Sequence, residues 1–368
     1  MSRIQFFASH RNSLRQLSPL NLFLIFGLIC NMQCVTIDPL AYKPSDPPEL
    51  IGKLKPNQKL ESARKIALGK IDGPEGLEID RLGNIYAGTA NGDIVRIQAG
   101  GDDPEWIANT GGRPLGIQLD AKGNLVVCDS YKGLLSIDTE GKIEVLTTES
   151  NGVPFAFTDD LDIARDGKIY FSDASFKFTQ KEYLYDLLES RPYGRLLVYD
   201  PKNKTTTTLL EKLFFANGVA LSKNEDFVLV NETYRYRITK YWLKGSKSGT
   251  SEIFIDNLPG FPDNITRSDN GEFYLALFTK RNSQMDNMHP SPWKKKFTSF
   301  LPKFLWPSPE PYGFVLRLSE KGEILESYQD PSGKNMRAIT HAQKKGNTLY
   351  LGSLYSNWIG ILDIKNQE

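Results

Sequence analysis

A short phrase recurs six times between residues 75 and 352: an alternating apolar run, a corner, then a second apolar pair. The corners are Gly83-Asn84-Ile85-Tyr86, Gly123-Asn124-Leu125-Val126, Gly167-Lys168-Ile169-Tyr170, Glu225-Asp226-Phe227-Val228, Gly271-Glu272-Phe273-Tyr274 and Asn347-Thr348-Leu349-Tyr350. Repetition at roughly 40 residues or more restricts the chain to a repeat architecture. Each unit opens on period-2 alternation, as in Leu77-Glu78-Ile79-Asp80 and Leu161-Asp162-Ile163-Ala164, the mark of a half-buried strand. Further strand-length runs follow in each unit, bounded by Gly, Asn and Asp, with scarcely a helical stretch. The fold expected is all-β: a six-bladed β-propeller over residues 61–368. Its last unit offers three strands up to Ile364, and residues 63–68 are expected to add the outer one and close the ring, removing free sheet edges.

The third and fifth intervals between corners are longer, which places insertions in blades three and five. In residues 180–190, Tyr183, Leu184, Leu187 and Leu188 share a helical face; residues 280–311 hold Trp293 and Trp306. Both read as short helical or loop lids over one mouth of the ring, with aromatics used for packing. The run Lys294-Lys295-Lys296 reads as a solvated insertion tip, in preference to a contact with lipid headgroups.

Eight residues before each corner stand Glu75, Leu115, Asp159, Asn217, Asp263 and Ile339, and four of these carry a side-chain oxygen. In a propeller the first strand of each blade lines the axis, so one phase of that strand converges from every blade. Asp160 and Asn264 are adjacent to the convergent set. Carboxylates gathered without a counter-charge repel and take up protons, and a hard divalent cation relieves them. Acid and amide oxygens with no His or Cys are the donors calcium takes, and argue against zinc or copper. Asp and Asn also begin strands for backbone reasons, but that explains one such residue rather than four in register, several flanked by Pro or Gly (Pro74-Glu75-Gly76, Asn217-Gly218, Pro262-Asp263).

Residues 193–279 resemble the strictosidine synthase-like family, in Gly194-Arg195-Leu196, Phe215-Ala216-Asn217-Gly218-Val219-Ala220-Leu221-Ser222, Tyr241-Trp242-Leu243-Lys244-Gly245 and Leu258-Pro259-Gly260-Phe261-Pro262-Asp263-Asn264-Ile265. Gly73-Pro74-Glu75-Gly76 and Arg113-Pro114-Leu115-Gly116 extend the match to roughly residues 60–364, and its adipocyte plasma membrane-associated branch looks most similar. Regucalcin, gluconolactonases and paraoxonases are more distant relatives. The resemblance implies a six-bladed propeller in which Glu75, Asn217 and Asp263 bind Ca2+, with Asp159 and Asn264 lining or completing the site. Plant strictosidine synthases place a catalytic glutamate in the last blade, but Met336-Arg337-Ala338-Ile339-Thr340-His341 holds no carboxylate, which disfavours amine–aldehyde condensation. The paraoxonase histidine pair cannot be copied either, because one position is Leu115 and the chain has only His10, His289 and His341.

The expectation is a calcium-dependent hydrolase of small-molecule esters or lactones, arylesterase- or lactonase-like. The cation would polarise the carbonyl, and Asp263 or Asp159 would orient or deprotonate a water. Asp160, Leu115, Arg337 and His341 are expected to line the substrate. The alternative is a non-catalytic, calcium-stabilised propeller that binds a small ligand or protein.

Charge sets few other partners. With 45 basic and 44 acidic residues there is no field for nucleic acid, and a monomer is expected. Cys128 alone lies in the propeller, so no disulfide framework holds it, and an inert buried thiol is expected. Residues 1–34 carry Arg3, Arg11 and Arg15, then an apolar run from Leu20 to Cys30. They read as a signal peptide, a signal-anchor, or a lipidation segment using Cys34 or Cys30. Each places the body outside the cytoplasm, at a periplasm, cell surface or lumen, with the membrane as a partner. Residues 35–60, punctuated by five prolines, read as an extended linker.

Overall fold

Each repeat buries one strand face against the repeat before it and the other against the repeat after it, so the units close into a ring. The computed structural model describes residues 35–365, and the ring lies in the unit that begins at Ile37. Cys30, Cys34 and the signal, anchor and lipidation readings of residues 1–34 lie outside the described residues. Among the described residues no helix is long and apolar enough to cross a membrane.

Six four-stranded antiparallel sheets make the blades. Their inner strands are Leu77–Ile79, Pro114–Leu119, Thr158–Ile163, Ala216–Leu221, Gly260–Arg267 and His341–Lys345. Five blades are meanders in which each strand pairs with the next. The sixth joins both ends of the domain: Arg64–Ile66 pairs with Ile359–Asp363 as its outer strand, so the ring is closed by hydrogen bonds. Between blades four and five, Leu229, Phe273, Leu275, Phe314 and Leu316 are fully buried in one cluster. Side chains of this size stabilise by about 1.5–3 kcal/mol each when removed from water.

The blade-three insertion is a 3₁₀ turn, Gln180–Glu182, leading into α1, Tyr183–Glu189. A capping box joins Thr179 and Glu182 and fixes where it starts. The blade-five insertion contains α2, Ser283–Met288, and α3, Pro292–Ser299. Trp306 packs edge-on against Tyr185 of α1 at 5.2 Å, whereas Trp293 is 69 % exposed. The lysine run is not a solvated tip throughout. Lys295 is buried and donates to the Leu40 carbonyl at 2.8 Å.

Residues 37–60 are extended apart from two 3₁₀ turns and lie packed on the body rather than swinging free. Ile37 and Leu60 are buried, the Leu40 N–H donates to Glu189, and Asn57 bonds Ser327 and Gln329. Tyr42 sits beneath the Arg235 guanidinium at 3.8 Å.

Candidate active site on the propeller axis

The phased positions gather because four inner strands break their pairing at the same place. Pairing skips from Pro114↔Asp129 to Ile117↔Val127, and likewise around Asp159-Asp160, Asn217-Gly218 and Asp263-Asn264. Such bulges re-aim side chains and are frequent at functional sites. Gly76 and Gly218 permit the close approach at the axis. A Cβ on either would collide with backbone of the next blade, at Leu115 and Ile265 respectively.

A second device holds these bulges in place. The middle strands of blades two, three and four each end on an acid: Asp129, Asp173 and Glu232. Each accepts a backbone N–H from just ahead of the phased residue: Arg113 at 3.1 Å, Phe157 at 3.1 Å and Phe214 at 3.0 Å. Asp173 is held in turn by Arg195, whose Nη2 lies 2.6 Å away with both side chains buried.

Above the axis lies a cavity of about 140 Å3. Glu75, Asp159, Asn217 and Asp263 meet it, with Leu115 and Thr340 completing the ring. Its wall is apolar, including Phe157, Phe215, Tyr234, Phe261 and Phe278, and Tyr183, Leu184 and Leu187 of α1, Met285 of α2 and residues 307–309 cover it. The hydroxyls of Tyr183 and Tyr355 meet at 2.6 Å, tying α1 to the last blade.

The sixth phase is Thr340 rather than Ile339, which is fully buried in the apolar core. Five residues (120–124) separate paired Leu119 and Leu125, but four (345–348) separate Lys344 and Leu349, so a fixed count from the last corner falls one residue early. Thr340 donates to the Glu75 carbonyl at 3.1 Å.

Three of the expected lining residues lie elsewhere. Arg337 is exposed and away from the cavity, because the turn to positive φ at Ala338 intervenes before the inner strand. His341 is buried beside the axis but does not reach the cavity; burial lowers its pKa to about 4, with the Gln343 side chain opposing. Asp160 is structural: its carboxylate accepts the Val219 N–H at 2.9 Å, stitching blade three to blade four. Cys128 is a buried thiol whose pKa burial raises.

At the axis, Asn264 donates to Glu75 Oε1 at 2.7 Å. Glu75 Oε2, Asn217 Oδ1 and Asn264 Oδ1 are buried with no partner. Burial pushes the Glu75 carboxyl up to about 7, partly offset by Arg113. Asp159 and Asp263 are raised well above the carboxylate range by burial, then by Glu75 and, for Asp159, by Asp263. Among the described residues no three His, Cys, Asp or Glu side chains form a metal-holding group by themselves. An ion here would therefore draw on the Asn217 and Asn264 amides as well. Orphaned oxygens, mutually repelling carboxylates and the absence of nitrogen or sulfur donors fit a hard cation.

Sequence reasoning passed over Arg113 and Thr340, and gave Asp129, Asp173 and Glu232 no part in the site. An acid closing the second strand of three consecutive blades was a readable signal for the last group.

Ring, bulges and axial oxygens together define a six-bladed propeller with a covered site at one mouth. The strictosidine synthase model matches residues 159–246, and the strictosidine synthase-like N-terminal model matches residues 52–97. Adipocyte plasma membrane-associated protein from Rattus norvegicus is 36% identical over 355 residues, covering 90% of this chain and 93% of that protein. Strictosidine synthase-like 10 from Arabidopsis thaliana is 36% identical over 348 residues, covering 86% and 91%. The chain belongs to the strictosidine synthase-like family. Among solved structures, a Xanthomonas campestris gluconolactonase superposes with a TM-score of 0.61 at 15% identity, covering 89% of this chain and 98% of that one. Regucalcin from Agrobacterium tumefaciens, a calcium-binding protein, gives 0.58 at 13% identity, covering 81% and 92%. At such identities the likeness concerns the fold.

The lid carries its own titration. Asp186 of α1 is buried, and burial pushes its carboxyl up to about 8, with Glu189 and Asp173 adding and Ser175 and Lys177 opposing. A carboxyl raised in the folded state contributes stability that is full below the unfolded value, about 4, and is lost as pH rises through about 8. Asp186→Asn should therefore flatten the fall in melting temperature between these limits. At pH above 8 it should be more stable than the parent by roughly 1–3 kcal/mol and melt at a higher temperature. Melting curves across pH check this, and parallel profiles would refute it.

Proposed function

We propose that this chain is a calcium-dependent hydrolase of small esters or lactones. The observation that supports it most is the set of buried, unpartnered oxygens on Glu75, Asn217 and Asn264 beside the carboxylates of Asp159 and Asp263, where Glu75, Asp159, Asn217 and Asp263 line a covered apolar cavity and Asn264 sits behind them. Glu75, Asn217, Asp263, Asp159 and Asn264 would hold the ion. A bound calcium ion supplies Lewis-acid polarisation of a carbonyl oxygen. The chain's own residues do the rest. Phe157, Phe215, Phe261 and Phe278 take up the apolar part of the substrate and exclude bulk water. Asp263 or Asp159, whose carboxyls burial and the neighbouring acids make more basic than a free carboxylate, orients a water and accepts its proton at a carboxylate oxygen.

A binding role without catalysis is favoured by one feature: the wall carries no histidine and Leu115 occupies the second phase. Hydrolysis of phenyl acetate and of an aliphatic lactone by the purified chain separates the readings. The hydrolase predicts turnover that is lost with chelator, restored by calcium, and lost in Asp263→Ala. Calcium-dependent melting without turnover of either ester would leave the binding module. The proposal extends to placement outside the cytoplasm, at a membrane through the N-terminal segment or a lipid on Cys34 or Cys30. The charged-then-apolar order of residues 1–34 and the naming of relatives as plasma membrane-associated support it. Mass spectrometry of the mature N-terminus tests it.

A further inference from the structure

The lid helix α3 is amphipathic in the opposite sense from a water-facing helix. At about 100° per residue, Trp293, Phe297 and Phe300 share one stripe, and Lys295, Thr298 and Ser299 lie about half a turn away. The polar stripe is the buried one: Lys295 is inaccessible, and Thr298 and Ser299 are buried. The apolar stripe faces out, with Trp293 69 %, Phe297 59 % and Phe300 51 % exposed. The chain continues it in Phe304 at 83 % and Leu305 at 56 %. Exposed apolar side chains scattered singly need no explanation, but five within thirteen residues do.

The charge around the patch is one-sided. Lys294 and Lys296 flank the apolar stripe of α3, Lys303 precedes Phe304, and all three are exposed. No Asp or Glu occurs between Asp286 and Glu310. Among the described residues none of these three lysines has a carboxylate within salt-bridge distance. Trp, Phe and Leu on one face with lysines at its borders is the composition of a helix that lies in the headgroup layer of a bilayer.

We propose that the blade-five lid docks this protein on an anionic lipid surface. Trp293, Phe297, Phe300, Phe304 and Leu305 insert below the headgroups, and Lys294, Lys296 and Lys303 meet the lipid phosphates and carboxylates. This contact is separate from any anchoring by residues 1–34. It does not depend on the axial site being catalytic.

The test uses the full chain and vesicles of phosphatidylcholine with phosphatidylserine, the acyl chains brominated. Tryptophan fluorescence is expected to be quenched by the bromines, and most of that quenching is expected to vanish in Trp293→Phe, which still binds. In the triple variant Trp293→Ser/Phe297→Ser/Phe304→Ser, checked for an unchanged melting curve, vesicle affinity should fall at least tenfold. Lys294→Gln and Lys296→Gln should each cost about fivefold on phosphatidylserine vesicles and little on pure phosphatidylcholine. If residues 1–34 alone hold the chain on vesicles, or themselves cover the patch, Trp293→Phe will be quenched as much as the parent, and the proposal fails. It also fails if the parent sediments as a dimer that the triple variant abolishes, with no bromine quenching; a second copy is then the occupant.

Discussion

In calcium-free buffer Asp159→Asn is expected to melt above the parent chain, and adding calcium is expected to reverse the order. The reason lies in what surrounds the carboxylate. Asp159 is buried, and the groups that raise its pKa after burial itself are all acids: Glu75, Asp263, Asp160 and Asp173. Arg113, which offsets part of the shift at Glu75, bonds backbone carbonyls of Gly73 and Pro114 rather than any axial carboxylate. Like charges in a poorly hydrated site destabilise the fold, and an isosteric amide removes one of them. The gain in the metal-free protein should be about 1–2 kcal/mol. With calcium the balance turns. An ion at a hundred times its dissociation constant stabilises the parent by about 2.7 kcal/mol. Loss of one charged donor weakens that binding, because calcium affinity follows the charge of its ligands. Ester or lactone turnover should fall by about 10²–10⁴ if Asp159 also serves as base. Thermal melts with chelator and with calcium decide the matter. A variant that melts lower than the parent in chelator would show that the axial acids are already relieved without an ion.

The ring was readable because its corners are covalently special. Gly83, Gly123, Gly167 and Gly271 all take positive φ, which side chains resist, so the turns marked themselves in the sequence. Glu225 adopts the same conformation without being glycine and was found only by its neighbours. The axial set was readable because a bulge recurs at one phase in four blades, keeping the count from corner to axis constant. The count failed where the turn shortened, and Thr340 was hidden behind Ile339. Asp160 lies at such a bulge, where strict alternation no longer says which side of the strand a residue faces, and hydrogen bonds between blades such as Asp160 to Val219 settle it. Blade six pairs without a bulge; there Arg337 is set apart by the positive-φ turn at Ala338, and His341 follows Thr340 by one residue and so faces away from the cavity. The inverted helix α3 was illegible for another cause. Its pattern gives an amphipathic helix, but which face turns inward depends on the docking of residues 37–60, where Lys295 finds the Leu40 carbonyl.

Arg195→Met should be among the most damaging single substitutions outside the axis, and its effect should reach the site. The guanidinium places Nε at 3.1 Å and Nη2 at 2.6 Å from Asp173 Oδ2, with 4 % and 0 % of the two side chains exposed. It also donates to the carbonyls of Val153 and Pro154, fixing the short hairpin ahead of the third inner strand. Methionine fills similar space but leaves Asp173 buried without its cation. Breaking one side of a buried pair costs about 3–5 kcal/mol, whereas removing both sides is often much milder. Asp173 has a second task, because its Oδ1 accepts the Phe157 N–H, two residues before Asp159. A destabilised Asp173 therefore loosens the bulge that aims Asp159 at the axis. Arg195→Met should lower the unfolding free energy read from denaturant titration by that amount and weaken calcium-dependent stabilisation as well. The double change Arg195→Met/Asp173→Asn, which removes the stranded charge and retains an oxygen for the Phe157 N–H, should recover part of both. If the double variant is no more stable than Arg195→Met alone, the pair acts through packing instead, and the link from Arg195 to the axial site is wrong.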